Sequence, residues 1–263
     1  MNKMQTEKPI LSLEWHITDF CNYKCEYCCE KQYSKKKIRY GFANKKTQDS
    51  ILKVLSDLPG SWQIKFAGGE PTTHPDFISV CKKIKESGHT LCLTTNFSMP
   101  FNKLKKFIDV CGDKLDFVSA SLHLSQTDSD SFIKKALQFN QLKHPKTDFS
   151  ITSVVTENNF KQLKRIKEIL DQKKIRFEFH RLRTSKKSIS YSSEIENYIS
   201  DNLVKNTDKT EAKHFFGILC HTGELFFIIK PNGDVHRCFE SQPGKYLGNM
   251  SEGTFKRFSK PKP

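Results

Sequence analysis

The chain has 263 residues, of which 36% are hydrophobic and 28% charged, and its formal net charge is +15 at pH 7. This length suffices for one large α/β domain, and no apolar run approaches the ~20 residues that span a bilayer. The composition therefore predicts a soluble globular protein and argues against a membrane-spanning one.

Nine cysteines at uneven spacings argue against a disulfide framework. The N-terminal segment shows no apolar core followed by a small-residue cleavage site, so it does not resemble a secretion signal. We therefore expect a cytoplasmic protein in a reducing compartment.

The basic charge has two interpretations. It could attract an anionic partner such as nucleic acid, a nucleotide-linked sugar or an acidic protein. Most lysines, however, fall on predicted helices without the interleaved aromatic residues that bind single-stranded nucleic acid. We favour solvated helix faces over nucleic-acid binding.

Strand and helix patterns alternate in chain order. Apolar residues with a period of two predict strands, and a period of 3.6 predicts helices. This alternation argues for a parallel sheet with right-handed crossovers, and six units fall short of the eight of a closed barrel. The predicted strands cover residues 11–17, 62–67, 90–94, 115–122, 149–155 and 175–180, and the helices cover about 46–58, 76–87, 101–110, 130–142 and 160–170.

The pattern changes after the sixth strand. Residues 184–215 are polar and predict a bridging segment with one helix at about 194–204. Strand-like runs at 225–229 and 235–238 flank an Asn-Gly turn, which is a strong hairpin signal. We therefore divide the chain into a core (8–183), the bridging segment (184–215) and a C-terminal extension (216–263).

Cys21, Cys25 and Cys28 follow the first predicted strand with the spacing C-x3-C-x2-C. Three thiolates on one loop can bind three irons of a cubane [4Fe–4S] cluster and leave the fourth iron open to an outside ligand. A structural zinc site needs four ligands, usually from two CxxC-like pairs, and no second pair follows nearby. A loop of incidental buried thiols is the remaining alternative.

Gly68, Gly69, Glu70 and Pro71 follow the second predicted strand. Glycines let a backbone approach a ligand closely. Alone, this motif also fits a tight turn before a helix.

Taken together, the two motifs, with the aromatic Tyr27 directly before Cys28, resemble the radical S-adenosylmethionine (radical SAM) superfamily. The resemblance implies a partial (β/α)6 TIM barrel that is open on one side. It also implies that Cys21, Cys25 and Cys28 hold a [4Fe–4S] cluster whose open iron binds SAM. Reduction of the cluster would cleave SAM to a 5′-deoxyadenosyl radical, which abstracts a hydrogen from the substrate.

By the same resemblance, SAM is held by residues near the strand ends, although turn chemistry and packing on the sheet are alternatives for them. We expect His123, Glu178 and His180 to face the substrate. The expected SAM contacts are Tyr27, Gly68, Gly69, Glu70, Asn96 and Ser121.

Cys220 and Cys238 flank the predicted hairpin and resemble the start of a SPASM/twitch extension, which carries auxiliary clusters in many members of the family. Two thiolates do not hold a [4Fe–4S] cluster alone, and no cysteine follows Cys238. We slightly favour a degenerate hairpin with two reduced thiols over a second cluster.

The resemblance does not choose a substrate. We lean toward a small molecule or sugar because no separate peptide-recognition domain precedes the predicted barrel. A ribosomal-peptide or RNA substrate is an alternative, and the expected electron donor is a flavodoxin or ferredoxin. The competing class is a non-catalytic protein with zinc or a structural cluster on the same thiols.

Overall fold

The computed structural model describes residues 10–28, 41–182, 191–202, 219–238 and 246–262. Its strands are β1 (Ser12–Thr18), β2 (Gln63–Gly68), β3 (Thr90–Thr95), β4 (Leu115–Ser121), β5 (Asp148–Val155), β6 (Arg176–Arg181), β7 (Phe226–Ile229), β8 (Asp234–His236) and β9 (Tyr246–Asn249). Its helices are α1 (Lys45–Asp57), α2 (Phe77–Glu86), α3 (Phe101–Cys111), α4 (Ser129–Leu142), α5 (Phe160–Gln172) and α6 (Ser193–Asn202).

The described strands form one sheet in the order β6-β5-β4-β3-β2-β1-β7-β8-β9. Strands β1 to β7 pair in parallel, whereas β8 and β9 are antiparallel. In the part of the chain that is described, β6 and β9 are the two edges and the sheet does not close. The predicted α/β fold with an open, partial barrel is confirmed.

The two faces of the sheet differ in polarity because side chains alternate along each strand. In β1, Leu13, Trp15 and Ile17 are fully buried and join the same apolar core as the inner faces of α1 to α5. The alternating residues on the other face, such as Glu14 and His16, are polar. Parallel sheets covered on both faces are usually apolar throughout. This sheet therefore has one face packed on helices and a second, polar face, called the concave face below.

Helix α5 illustrates why the crossovers pack as they do. Its buried residues are Phe160, Leu163, Ile166 and Leu170, a spacing that places them on one stripe of the helix. Burial of such a stripe stabilises a helix more than its intrinsic propensity does.

The C-terminal hairpin continues the main sheet. The predicted Asn232-Gly233 turn joins β7 to β8, and Gly233 has the positive φ of +89° that this turn requires. Strand β7 then pairs in parallel with β1, with Phe226 opposite Ser12. Much of the predicted bridging segment, residues 184–190 and 203–215, lies outside the described residues, so the domain boundaries stay predictions. No helix of the described residues is long and apolar enough to cross a membrane.

Candidate functional site at the carboxyl ends of the strands

The three predicted cluster cysteines lie on one loop beyond the end of β1. Cys25 is buried, and Cys21 and Cys28 are partly buried. The Cys28 N–H donates to the Cys25 carbonyl at 3.3 Å, and the Tyr23 N–H donates to Cys21 Sγ at 3.4 Å. Burial raises the pKa of the Cys21 thiol, and the charges of Glu70 and Cys28 raise it further. The loop therefore brings several thiols and an acid into one small region.

The glycine motif lies against this cysteine loop. The Gly69 N–H donates to the Thr18 carbonyl at 2.9 Å, and the Glu70 N–H donates to the Phe20 carbonyl at 2.7 Å. A Cβ on Gly69 would lie 2.1 Å from the Phe20 oxygen, so no larger residue fits without moving the loop. Gly68 has a φ of +105°, which favours glycine. The end of β2 and the approach to Cys21 therefore form one rim.

Glu70 ties this rim to the end of β3. Its carboxylate is fully buried and accepts hydrogen bonds from Thr72 Oγ1 at 2.5 Å, Thr95 Oγ1 at 2.7 Å and the Asn96 N–H at 2.6 Å. Burial raises the pKa of Glu70, and these hydrogen bonds oppose that effect. The carboxylate therefore positions two strand ends. Its predicted contact with the SAM amino group stays a prediction.

Asn96 connects the end of β3 to the cysteine loop. Its Nδ2 donates to Asn22 Oδ1 at 2.9 Å and to Cys21 Sγ at 3.8 Å, and its Oδ1 accepts from the Ser98 N–H at 2.9 Å. Asn96 is buried. The contacts indicate that Asn96 orients the Cys21 thiol, and its predicted contact with SAM stays a prediction.

Tyr27 packs against His123, which follows β4. Tyr27 Oη and His123 Nδ1 share a hydrogen bond of 3.0 Å, and the ring centroids are 5.7 Å apart. Burial lowers the pKa of His123 to about 4 and raises that of Tyr27 to about 12, so both side chains are neutral at pH 7. This pair joins the cysteine loop to the concave face.

A groove of about 420 Å³ opens on the concave face. It brings together four residues that the sequence singled out: Ser121, His123, Glu178 and His180. The site residues predicted from the sequence include none of the rest of the lining, and all of these remaining residues except Ser153 fall at alternating positions of their strands, which places them on this face. They are Lys65, Thr94, Phe117, Ser119, Ser150, Thr152, Ser153 and Val154.

Hydroxyl side chains dominate the middle of the groove. In the register of the sheet, Ser119 lies opposite Thr94 and Ser150, and Ser121 lies opposite Thr152. The buried Ser150 Oγ has no hydrogen-bond partner among the described residues. An unpaired buried hydroxyl costs about 1–3 kcal/mol, and a ligand hydroxyl or a water would remove that cost.

The two C-terminal cysteines, Cys220 and Cys238, are far from the cysteine loop in the sequence, and their environments differ from each other. Cys220 is exposed, and its hydrogen bonds to Thr222 lower its pKa, whereas Cys238 is partly buried. The part of the chain that is described places no three His, Cys, Asp or Glu side chains around one metal ion. Whether Cys220 and Cys238 are two reduced thiols, as the sequence slightly favours, or hold a second cluster is not tested by these contacts.

Among the described residues the three cysteines of the loop form no such group either, so their fit to a metal group rests on donor chemistry alone. A single zinc ion would draw sulfurs to about 3.8 Å from one another, given tetrahedral bonds of about 2.3 Å. In a cubane each thiolate binds a different iron, so the sulfurs lie farther apart. A loop of three thiols with N–H donors at Cys21 is a donor set that fits an iron–sulfur cluster.

Comparison with known proteins agrees with this geometry. A model of the Radical SAM superfamily matches residues 15–137. The chain is 27% identical over 163 residues to the tungsten-containing aldehyde ferredoxin oxidoreductase cofactor-modifying protein of Pyrococcus furiosus, covering 56% of this chain and 44% of that protein. It is 33% identical over 119 residues to a probable GTP 3′,8-cyclase of Thermococcus kodakarensis, covering 44% and 36%. The chain thus spans less than half the length of these relatives.

Solved structures share the fold. Histidine-tagged anSMEcpe with bound AdoMet (SAM) superposes with a TM-score of 0.63 at 20% identity, covering 93% of this chain and 76% of that one. Native anSMEcpe with bound AdoMet and Cp18Cys peptide gives a TM-score of 0.61 at 19% identity, covering 93% and 78%. Members of the family use a [4Fe–4S] cluster and SAM. Residues 15–137 thus match the model of the radical SAM superfamily, and the solved structures share the fold of the chain.

Proposed function

We propose that this chain is a radical SAM enzyme that acts on a small polar molecule bound in the groove of the concave face. The proposal depends chiefly on one observation: the Glu70 N–H donates to the Phe20 carbonyl at 2.7 Å, which holds the glycine motif against the approach to the cysteine loop. A cluster and its SAM need both on the same rim. When bound and reduced, these cofactors supply a 5′-deoxyadenosyl radical that takes a hydrogen atom from the substrate.

Different residues of the chain hold and position the cofactors. Cys21, Cys25 and Cys28 hold the cluster, and Asn96 orients Cys21 through its amide. The backbone at Gly68 and Gly69 lets the end of β2 pack directly against β1 and the approach to the cysteine loop. The contact of Asn96 with Cys21 and that of Gly69 with Thr18 join the ends of β3, β2 and β1 to this loop, which preorganises the site.

Tyr27 and His123 stand between the cysteine loop and the groove. Because both are neutral at pH 7, they add no charge that a radical intermediate would have to accommodate. Their hydrogen bond fixes the orientation of both rings. We assign them to the boundary between the SAM site and the substrate.

The lining of the groove favours a hydroxylated small molecule. Its volume of about 420 Å³ lies within the range of small-ligand sites. Side chains of Ser119, Ser121, Ser150 and Thr152 offer hydrogen bonds to hydroxyl groups without adding charge. A peptide or an RNA would need a binding surface beyond the groove, and turnover of either substrate would contradict the assignment of a small molecule.

Anaerobic reconstitution with iron and sulfide tests the proposal. We expect about four irons per chain, and reduction with dithionite should convert SAM into 5′-deoxyadenosine, measured by chromatography. Cys21→Ala should abolish both. Cys81→Ala, which removes a buried core cysteine outside the loop, is the matched control and should retain both.

The competing class gives a different result. A non-catalytic zinc protein would bind stoichiometric zinc through the same cysteines and would not cleave SAM. Iron well above four per chain, lost in Cys220→Ser, would indicate a second cluster on Cys220 and Cys238. Replacing dithionite with reduced flavodoxin or ferredoxin tests the expected electron donor.

A further inference from the structure

A row of ionisable side chains crosses the concave face beside the groove. In the register of the sheet, Glu14 of β1 lies opposite Lys65 of β2. Trp15 lies opposite Ile229 of β7, so that His16 and Lys230, one residue further along, are also neighbours. Four ionisable residues on adjacent strands therefore face the same side.

These four side chains form a continuous chain of hydrogen bonds. Lys230 Nζ lies 3.0 Å from His16 Nδ1, His16 Nε2 lies 2.7 Å from Glu14 Oε1, and Lys65 Nζ lies 3.0 Å from Glu14 Oε2. Because an ammonium only donates, His16 Nδ1 accepts from Lys230, and Nε2 carries the proton toward the carboxylate. The arrangement thus places His16 between the Lys230 ammonium and the Glu14 carboxylate.

The chain of bonds has two ammonium groups and one carboxylate. Burial raises the pKa of Glu14, but the hydrogen bond from His16 and the charge of Lys65 outweigh it, so that its pKa lies below the usual value. Glu14 and His16 are almost fully buried. A buried carboxylate at this position is tolerable because it is paired on both sides.

Lys65 is the member of this row that also lines the groove. Its side chain is 43% exposed, and the bond to Glu14 uses one of the three donors of its ammonium. Asp116, on β4, accepts from Gln63 Nε2 at 3.1 Å instead. The acid at the other side of the groove, Glu178, forms an ion pair with Arg176 at 2.9 Å.

We propose that the substrate carries an anionic group, a phosphate or a carboxylate, which Lys65 binds at the end of the groove remote from the cysteine loop. Glu14, His16 and Lys230 act as positioning residues that hold the Lys65 stem against the sheet. This inference rests on the proposed function, because it treats the groove as the substrate site.

The sheet also sets the length of such a substrate. Lys65 precedes Gly68 by three residues, so its Cα lies on the order of 10 Å below the rim where the glycine motif meets the cysteine loop. In the register of the sheet, Thr94, Ser119 and Ser150 lie between these two levels, and the Ser150 Oγ lacks a partner among the described residues, whereas Ser121 and Thr152 lie at the rim. A sugar phosphate or a sugar acid matches this order of anion, hydroxyls and reacting carbon.

Titration calorimetry on the reconstituted full chain at fixed ionic strength tests the inference. The probes are inorganic phosphate, ribose 5-phosphate and gluconate, with neutral ribose for comparison. We expect at least one anionic probe to bind and to weaken about ten- to hundred-fold in Lys65→Met, since a hydrogen bond to a charged group is lost. Lys82→Met, which removes an exposed charge from α2, is the matched control and should bind as the wild type does.

A second variant guards against misfolding. Lys65→Met leaves the buried Glu14 with one cationic partner fewer, whereas Glu14→Gln combined with Lys65→Met removes both charges of the pair. The double variant should fold, shown by a cooperative melt, and should still lack the anion site. The inference is overturned by anionic probes that bind no better than ribose, by wild-type affinity in both Lys65 variants, or by equal weakening in Lys82→Met.

The proposed function is judged separately on the same preparation. Formation of 5′-deoxyadenosine without anion binding refutes the inference and leaves the enzyme assignment standing. Lys65-dependent anion binding without SAM cleavage refutes the enzyme assignment and leaves the anion site standing.

Discussion

Substitution of Gly69 by alanine tests whether the glycine motif holds the cysteine loop. The new Cβ would lie 2.1 Å from the Phe20 oxygen, whereas an ordinary contact begins at 3.4 Å, so the Phe20 carbonyl has to move by about 1.3 Å. The obstacle is backbone, which cannot rotate away as a flexible side chain can. We therefore expect the change to displace the segment that leads directly into Cys21.

The cost follows from two contributions. Moving the Phe20 carbonyl breaks its hydrogen bond from the buried Glu70 N–H, at about 1–3 kcal/mol. Overpacking adds about 1–3 kcal/mol. We expect Gly69→Ala to lower the free energy of unfolding by about 2–6 kcal/mol and to reduce the iron bound after reconstitution well below that of the wild type.

Urea unfolding of the apoprotein under reducing conditions measures the first quantity, and iron content measures the second. Gly88→Ala is the matched control: a Cβ there meets nothing within 4 Å, and its φ of +84° alone costs about 1–2 kcal/mol. It should load iron normally. If Gly69→Ala unfolds within about 0.5 kcal/mol of the wild type, which is the ordinary scatter of neutral surface substitutions, and loads iron fully, the packing argument is wrong.

Three further predictions follow from the same contacts. Burial holds the pKa of His123 near 4, below about 6.5 in the unfolded chain, so the unfolded state binds more protons between these values. The free energy of unfolding should therefore fall by about 2–4 kcal/mol as the pH drops through this window. In urea unfolding at several pH values, His123→Gln should show a weaker dependence of this free energy on pH than the wild type, and an equal dependence would contradict the assignment. Asn96→Leu removes the side-chain N–H that donates to Cys21 Sγ. For a hydrogen bond of about 1 kcal/mol, the midpoint potential of a bound cluster should become more negative by about 40 mV, which redox titration measures. An unchanged potential would argue against that hydrogen bond. Lys135→Met removes the ammonium that donates to the carbonyls of Phe97 and Met99, and it should lower the free energy of unfolding in urea by about 1–3 kcal/mol without changing iron content. Phe97 has a left-handed backbone with a φ of +60°. Stability within error of the wild type would show that this conformation does not depend on Lys135.

The fold followed from local patterns because most of its elements are amphipathic over their full length. The strand predicted at 11–17 is Ser12–Thr18, and the helix predicted at 160–170 is Phe160–Gln172. The alternation of a strand and the periodicity of a helix show which of its faces is buried, and in each crossover unit that face packs against the shared core. The Asn-Gly turn likewise specified its hairpin, but nothing local specified that β7 would pair with β1, more than 200 residues earlier in the chain.

The location of the candidate site could be predicted from the sequence, but most contacts between its residues could not. Parallel strands end at one edge, so Ser121 and His123 had to lie near the cysteine loop once the sheet was predicted. The contacts of Glu70 could not be read from the sequence, because they involve Thr95 and Asn96 on the next strand. Lys65 belongs to no sequence motif. Its proposed role depends on an ion pair with Glu14, which lies on the neighbouring strand and is brought close only by the folded sheet.

The cysteine loop is held by several strands at once, and this has a consequence for mutational work. The Phe20 carbonyl is fixed by Glu70 at the end of β2, Cys21 by Asn96 at the end of β3, and Tyr27 by His123 after β4. Loss of one support shifts the loop relative to the others, so the effects of single substitutions should overlap rather than add. Groups that act as one unit behave in this way because the first loss already disturbs the shared geometry. The groove differs, since Lys65 and Ser150 lie on strands whose registers the loop does not set. Substitutions of Lys65 or Ser150 should therefore combine additively with those in the loop, whereas substitutions of His123, which lines the groove and also supports Tyr27, should not.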